Sequence, residues 1–441
     1  MGVYRDSYLH LDKSNINVDR IKDDLTTYDR DFATGKLTPI LYYFEKNDEI
    51  LVPRYYLDND DIEDRSEIGK NIKFTSKIKF RNDQQKEASD FIINKKSGLV
   101  QCPPGFGKTV ITIHALSQIK KRTLIIVDQN NLREQWIERF IEHSSLTEED
   151  FDSLTKLEKS NTSVTITTIQ NLLAKYRKDK EELIKFMKAS KYGVVIFDEV
   201  HALIGPKKFT MICGTLFAKK IFGLSATPFR DNDRRRIITY WLTDNYFLHS
   251  KYTLKPNIKV ISFNSHIPEK TCRWVRFGGS FNLNRYYKSL FKHTQFMNMV
   301  ADIINKLHMK DRHILLLVGR IKNKYLDDLK NILVNAYKIN EEKISIYVGG
   351  IDKSEVSKPI VLSNYIMAYK GLDEPSLDTL ILMTSTYSEI YIEQAIGRIL
   401  RIHKDKKDPL VIDFCDNSWK ELKDASKVRY SIYNTLNFEL K

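Results

Sequence analysis

The sequence predicts an α/β protein, with two tandem parallel-sheet domains following a small β-rich N-terminal accessory domain. Three observations predict it. Short apolar runs alternate with helical patterns from residue 97 onward, the rhythm pauses over residues 228–290, and it then resumes as far as residue 414. Runs of four to six β-branched and aliphatic residues read as strands buried on both faces of a parallel sheet. Their alternation with helices is the doubly wound arrangement.

In the first domain, strands are expected at GLVQ (98–101), TLIIVD (123–128), VTITTI (164–169), GVVIFDE (193–199) and IFGLSAT (221–227). Between them, LREQWIERFI and KEELIKFMKA repeat apolar residues at helical spacing. Residues 228–290 mix Pro, Gly, Asn and clustered Arg, which suggests a connection and the start of another unit. The second domain is expected from HILLLVG (313–319), ISIYVGG (344–350), PIVLSN (359–364), DTLILM (378–383) and PLVIDF (409–414). Residues 1–78 are rich in tyrosine and acids, with a strand pair expected around 40–57, and the last residues read as a helical tail. The expected boundaries are therefore 1–78 for an accessory domain, 79–250 and 251–418 for the two lobes, and 419–441 for the tail.

A chain of 441 residues exceeds what one core normally supports. No apolar run approaches the roughly 18–20 residues needed to span a bilayer. The N-terminus MGVYRDSYLH is too polar for a signal peptide, and Asp6 stands where myristoylation needs Ser or Thr. A soluble, cytoplasmic protein is expected. The four cysteines, at 102, 213, 272 and 415, form no C-x-x-C pair, which argues against a zinc ribbon, an iron–sulfur cluster or a disulfide framework.

The formal charge is +14, unevenly spread. Residues 1–80 carry 13 Lys/Arg against 16 Asp/Glu, residues 81–250 carry 27 against 20, and residues 251–441 carry 31 against 21. Positive charge over both later segments suits a polyanion lying across them. Both lobes and the whole positive excess lie beyond residue 80, so a chain lacking the accessory segment is expected to fold.

Residues 102–109, CPPGFGKT, carry the chemistry. A phosphate loop needs glycines where a side chain would strike phosphate, a lysine for the outer phosphates and a hydroxyl for Mg2+, just before a helix N-terminus. Gly105, Gly107, Lys108 and Thr109 fit, with Pro104 and Phe106 in the same loop. Cys102 replaces the first glycine of the G-x-x-x-x-G-K-[ST] pattern. Ninety residues after Lys108 a strand ends in Asp198-Glu199-Val200-His201. Adjacent acids there can divide metal binding (Asp198) from orientation or deprotonation of water (Glu199).

With these motifs in this order, the chain resembles a superfamily 2 DExH helicase or translocase over roughly residues 80–415. The resemblance implies two RecA-like lobes, ATP and Mg2+ as cofactors, and further roles. GLSATPFR (223–230) resembles the motif in which Ser225 and Thr227, with His201, link nucleotide state to nucleic acid. YKGLDEPSLDTLIL matches the segment around Gly371 and Asp373. QAIGRILR (394–401) resembles the motif whose Gln394, Arg398 and Arg401 face ATP across the interlobe cleft. Arg398 and Arg401, at i and i+3, are expected on one helix face. FRNDQQKEA resembles the adenine-recognition segment. There spacing from Arg81 favours Gln84 and spacing to Ala88 favours Gln85, which is preferred. Gln129, Thr168, Arg320 and Ser363 fall where family members touch the nucleic-acid backbone, although each alone reads more readily as an ordinary strand-to-helix turn.

DEVH followed by SATP-Phe-Arg resembles DNA-directed members, most closely phage branch-migration helicases of the UvsW type and more distantly XPB-like and poxvirus transcript-release helicases. This implies a monomer acting on branched, duplex and single-stranded DNA in recombination, repair or replication, with residues 1–78 contacting the duplex or junction. An RNA or RNA–DNA helicase acting in transcription and a non-hydrolysing nucleic-acid binder are the alternatives.

Overall fold

The computed structural model describes the chain except residues 1–2, 31–36, 58–60, 155–161, 204–210, 227–231, 244, 250–251, 253, 274–280, 320–323, 349–355, 370–371, 373, 387, 402, 405, 437 and 439–441. It divides into two compact units, residues 1–250 and 251–441.

The first unit is organised on a seven-stranded sheet. From edge to edge the strands are Phe151–Asp152, Val164–Thr168, Thr123–Val127, Val194–Asp198, Lys220–Ser225, Ser97–Gln101 and Tyr246–Leu248. Every neighbouring pair is parallel. All five expected strands are present, and the central ones are almost completely buried, as a sheet covered on both faces requires. The two outermost strands have two and three residues, too short to leave a periodic signal.

Residues 1–64 add a second sheet, in the order Phe44–Glu45, Glu49–Val52, Leu9–Asp12, Tyr4–Arg5, Glu63–Asp64, and a separate antiparallel hairpin of Thr26–Arg30 with Leu37–Leu41. The strand pair expected around residues 40–57 is the Phe44–Glu45/Glu49–Val52 pairing. The segment has no core of its own, which corrects the boundary at residue 78. Leu9, Leu11, Ile50 and Val52 belong to the same buried cluster as Leu99, Phe197, Ile237, Trp241 and Leu242. Arg54 Nη1 donates to the Ala218 carbonyl at 2.6 Å, and the Tyr55 N–H donates to the Tyr240 carbonyl at 2.7 Å. Strands of two to four residues bury too little apolar surface to stand alone, so this sheet completes its core against the larger one.

The second unit is a six-stranded, all-parallel sheet in the order Asn257–Phe263, Leu410–Asp416, Thr379–Leu382, Ile314–Val318, Ile360–Asn364, Ile344–Tyr347. Its edge strand, NIKVISF, lies in the stretch that reads as a connection, because an edge exposed on one side lacks a continuous apolar run. The C-terminal helix Lys420–Thr435 is part of this unit rather than a tail, a second correction. It buries Leu422, Ala425, Arg429 and Tyr433. Arg429 Nε and the Tyr433 hydroxyl both donate to Asp413 Oδ2 at 2.8 Å, on the strand beneath. Among the described residues, no helix is long and apolar enough to cross a membrane.

Candidate nucleotide site

Three adjacent strands bring the motifs together. Lys220–Ser225 pairs with Ser97–Gln101 on one side (Ser225 opposite Gln101) and with Val194–Asp198 on the other (Asp198 opposite Leu224). Neighbouring strands lie about 4.8 Å apart, so the loop after Gln101 and the acids after Phe197 leave the same edge of the sheet about 10 Å from each other. That edge, at the carboxyl ends of parallel strands, is where α/β sheets bind ligands.

In the loop, Gly105 and Gly107 have φ of 80° and 99°, a left-handed region that favours glycine. A Cβ on Gly107 would also stand 2.9 Å from Gln85 Nε2. The helix Lys108–Ile119 starts at once, with no side chain capping its first N–H groups, which leaves them to an anion. Cys102 needs no glycine there because its φ is not positive. Its thiol packs in a buried cluster with Val100, Phe106 and Ile111, and burial pushes its pKa up to about 12. Lys108 Nζ donates to the Cys102 carbonyl at 3.1 Å, across the mouth of the loop. Thr109 is half-buried in the first turn, and Pro104 is half-buried in the loop.

The structure separates the two glutamines. Asn82 caps the helix Asp83–Asn94, whose second and third residues are Gln84 and Gln85. Gln84 is exposed, whereas Gln85 is buried; its Nε2 donates to the Phe106 carbonyl at 2.6 Å and its Oε1 accepts from the Arg81 N–H at 2.8 Å. Arg81 Nη2 donates to the Gly105 and Phe106 carbonyls at 3.0 and 2.9 Å. The Phe106 ring lies against His249, with centroids 4.6 Å apart.

Asp198 accepts the indole N–H of Trp136 on Oδ2 at 2.8 Å and the Glu199 N–H on Oδ1 at 3.1 Å. Burial, and then the Glu199 charge, push the Asp198 carboxyl up to about 6; the Trp136 bond and Lys108 pull the other way. Glu199 sits at φ 50°, an uncommon conformation for a residue with a side chain, and Ser225 Oγ lies 3.5 Å from its Oε2. The Asp198 carboxyl at the end of its strand and the Thr109 hydroxyl in the first turn of the helix after the loop are hard oxygen donors of the type Mg2+ takes. His201 lies in the helix Val200–Leu203, but its side chain, like Thr227, lies outside the described residues.

The nucleic-acid candidates behave differently from one another. Gln129 precedes the helix Asn130–His143 and donates to Asp128 Oδ2 at 3.0 Å. Thr168 caps the helix Ile169–Lys178, accepting from the Asn171 N–H at 3.2 Å. An open cleft of about 450 Å³ at this edge is lined by Asn130, Arg133, Ser153, Thr168 and Asn171, so Thr168 both caps and faces a cavity. Ser363 is fully buried and donates to the Tyr347 carbonyl at 2.5 Å within its own sheet. Arg320, Gly371 and Asp373 lie outside the described residues.

In the second unit, Gln394 is 4% exposed and its Nε2 has no hydrogen-bond partner among the described residues. Arg398 is nearly buried, and its Nε donates to the Ala368 carbonyl at 2.9 Å. The helix ends at Ile399, so Arg401 lies beyond it and does not share a helix face with Arg398. Lys406 Nζ instead holds the Arg401 carbonyl at 2.8 Å.

Residues 77–230 match the family described as type III restriction enzyme, res subunit. The chain is 26% identical, over 96% of its length and 83% of the relative's, to a protein of Acanthamoeba polyphaga mimivirus named as an ATP-dependent RNA helicase. It is 33% identical over 34% of its length to the DNA 3'-5' helicase XPB of Kineococcus radiotolerans, spanning 26% of that protein. The chain is similar to superfamily 2 helicases, along most of its length to the mimivirus protein and over about a third of it to XPB. Among solved structures, Saccharomyces cerevisiae Dbp5 bound to RNA and ADP BeF3 aligns with 83% of this chain and 89% of its own chain at 15% identity and a TM-score of 0.58, a likeness of fold. T4 UvsW aligns along 100% of this chain at 17% identity, but its TM-score of 0.40 is too low to bear on function.

Two residues of the candidate site escape sequence reasoning. Trp136 ends the stretch VDQNNLREQW, and nothing local indicates that its indole meets an acid 62 residues away. His249 follows an edge strand too short to be read, and only the fold lays it on Phe106.

Proposed function

We propose that this helicase couples ATP hydrolysis to movement along DNA, unwinding or branch-migrating forked and four-way junctions in recombination, repair or replication. The observation that supports the ATP chemistry is the exit of the Lys108 loop and the Asp198-Glu199 pair from one sheet edge, with a single strand between them. In this reading the loop N–H groups and Lys108 hold the phosphates, Arg81 and Gln85 serve the adenine end, and Asp198 with Thr109 hold Mg2+, which neutralises phosphate charge. Glu199 orients the attacking water and takes its proton. Gln394, Arg398 and Arg401 carry their family role toward ATP, and Ser225 couples the acids to the nucleic acid.

DNA is favoured because two relatives, each 33% identical over little more than a third of the chain, are named as DNA 3'-5' helicases. An RNA substrate is the second reading, favoured by the name of the mimivirus relative, which matches most of the chain. A binder without turnover is disfavoured by the intact Lys108, Glu199 and Arg401. The test is ATP hydrolysis measured in parallel with single-stranded DNA, duplex, four-way junction and RNA. The expected result is strongest stimulation by DNA, lost by at least about 100-fold in Lys108→Ala with DNA binding retained. Stimulation by RNA alone would replace the DNA reading, and near-normal turnover in the variant would remove the assigned site.

A further inference from the structure

Residues 70–81, KNIKFTSKIKFR, hold five basic side chains and no acid, directly after 69 residues in which 16 Asp/Glu face 9 Lys/Arg. Such an abrupt change of sign at the border of the first lobe calls for a structural account.

The segment is an extended strap across the amino ends of the parallel strands, opposite the phosphate loop. The Glu67 N–H donates to the Phe217 carbonyl (2.7 Å), Lys70 N–H to Lys191 (3.0 Å), Ile72 N–H to Lys120 (3.0 Å) and Lys77 N–H to His143 (2.8 Å). In return the Arg122 N–H donates to the Lys70 carbonyl (2.8 Å) and the Ser145 N–H to Thr75 (3.0 Å). Residues 120, 191 and 217 each lie just before a strand of the sheet, those starting at Thr123, Val194 and Lys220. Gly69 approaches so closely that a Cβ there would stand 2.3 Å from the Gly193 Cα.

The strap alternates as an extended chain must. Ile72, Phe74 and Ile78 point into the core, and Lys73, Lys77 and Lys79 are exposed. Beside them stand Lys120 and Lys191, both exposed and both at left-handed turns with φ of 54° and 49°. Nearby carboxylates are engaged: Glu67 accepts from the Gly69 N–H at 3.0 Å, and Glu142 pairs with Arg139 at 2.7 Å. Lys121 is spent on the strap itself, donating to Asn71 Oδ1 at 2.7 Å. From Lys70 to Lys79 the extended chain covers about 30 Å, close to one helical turn of duplex DNA.

We propose that this strap, with Lys120 and Lys191, is a second nucleic-acid site that holds the phosphate backbone of a duplex DNA arm. It lies on the end of the first lobe away from the nucleotide site. The proposal rests on DNA being the substrate. Lysines are point charges without a planar fork, so the site positions a duplex and reads no sequence. Its backbone is pinned by the sheet, so the row of lysines needs no backbone ordering on binding.

The test uses the full chain with Lys73, Lys77, Lys120 and Lys191 all changed to Ala, and a matching set changed to Arg. Affinity for a blunt duplex is measured across a salt series, together with thermal stability and ATP hydrolysis stimulated by single-stranded DNA. Each lost phosphate contact lowers the salt slope by about 0.9, so the Ala set is expected to lose about 3 to 4. The Arg set is expected to keep the slope, and stimulation by single-stranded DNA is expected to stay within about twofold of wild type. An unchanged duplex slope in a folded Ala variant overturns the proposal, as does equal loss of duplex binding and single-strand stimulation. A wild-type chain with this slope but no DNA-stimulated hydrolysis leaves the strap standing and removes the helicase reading.

Discussion

The Trp136 indole N–H donates to Asp198 Oδ2 at 2.8 Å, joining the helix Asn130–His143 to the strand end that carries the acid pair. The bond favours the ionised form of a carboxyl that burial and Glu199 both work to protonate. Trp136→Phe keeps the ring and removes the donor. Because hydrogen bonds to charged groups contribute about 1.5–3 kcal/mol, the Mg2+ concentration needed for half-maximal hydrolysis should rise about 10-fold or more. An unchanged Mg2+ titration would show that the indole does not support metal binding.

Glu199→Gln keeps the volume and removes the base. ATP should bind with near-normal affinity and persist, with turnover down at least about 100-fold. A nucleotide-binding measurement on the inactive variant decides the matter, since loss of ATP binding would make the strained Glu199 a structural residue.

The two glutamines make a paired test. Gln85→Ala should raise the KM for ATP about 10-fold, because the Arg81 N–H loses the Gln85 amide oxygen and the Phe106 carbonyl keeps only the Arg81 guanidinium. Gln84→Ala, at an exposed position, should change it less than about twofold. The reverse order would move adenine recognition to Gln84.

Arg398 and Arg401 should separate in the same way. Arg398→Ala leaves the Ala368 carbonyl unpaired in a buried setting, so it should cost about 1–3 kcal/mol of stability in addition to activity. Arg401→Ala, past the helix end, should reduce mainly DNA-stimulated hydrolysis. Equal loss of basal and stimulated rates in Arg401→Ala would argue against a gating role.

Deleting residues 1–80 should not leave a working motor, against the expectation from charge alone. It would strip Leu9, Leu11, Ile50 and Val52 from the core they share with Trp241, and Phe74 from the cluster around Phe140. Loss of several kcal/mol in a domain of this size corresponds to a fall in melting temperature of about 10 °C or more. A soluble truncation that melts like the full chain would show that the shared core is dispensable.

By itself the sequence determined the features that depend on neighbours along the chain. Apolar runs of five residues marked the central strands of both sheets, and CPPGFGKT and DEVH marked the loop and the acid pair, because strand burial and phosphate binding are written in contiguous residues. Tertiary structure decided whatever depends on a distant partner. Gln85 rather than Gln84 turns to the loop because Phe106 and Arg81 stand on that side of the helix. Ser363 is buried in its sheet, with its hydroxyl donating to the neighbouring strand's Tyr347 carbonyl. The N-terminal segment and the last helix, separate units by composition, merge into the two lobes. Short strands and a single amphipathic helix cannot bury their apolar faces alone, and which surface covers them is settled only when the chain has folded.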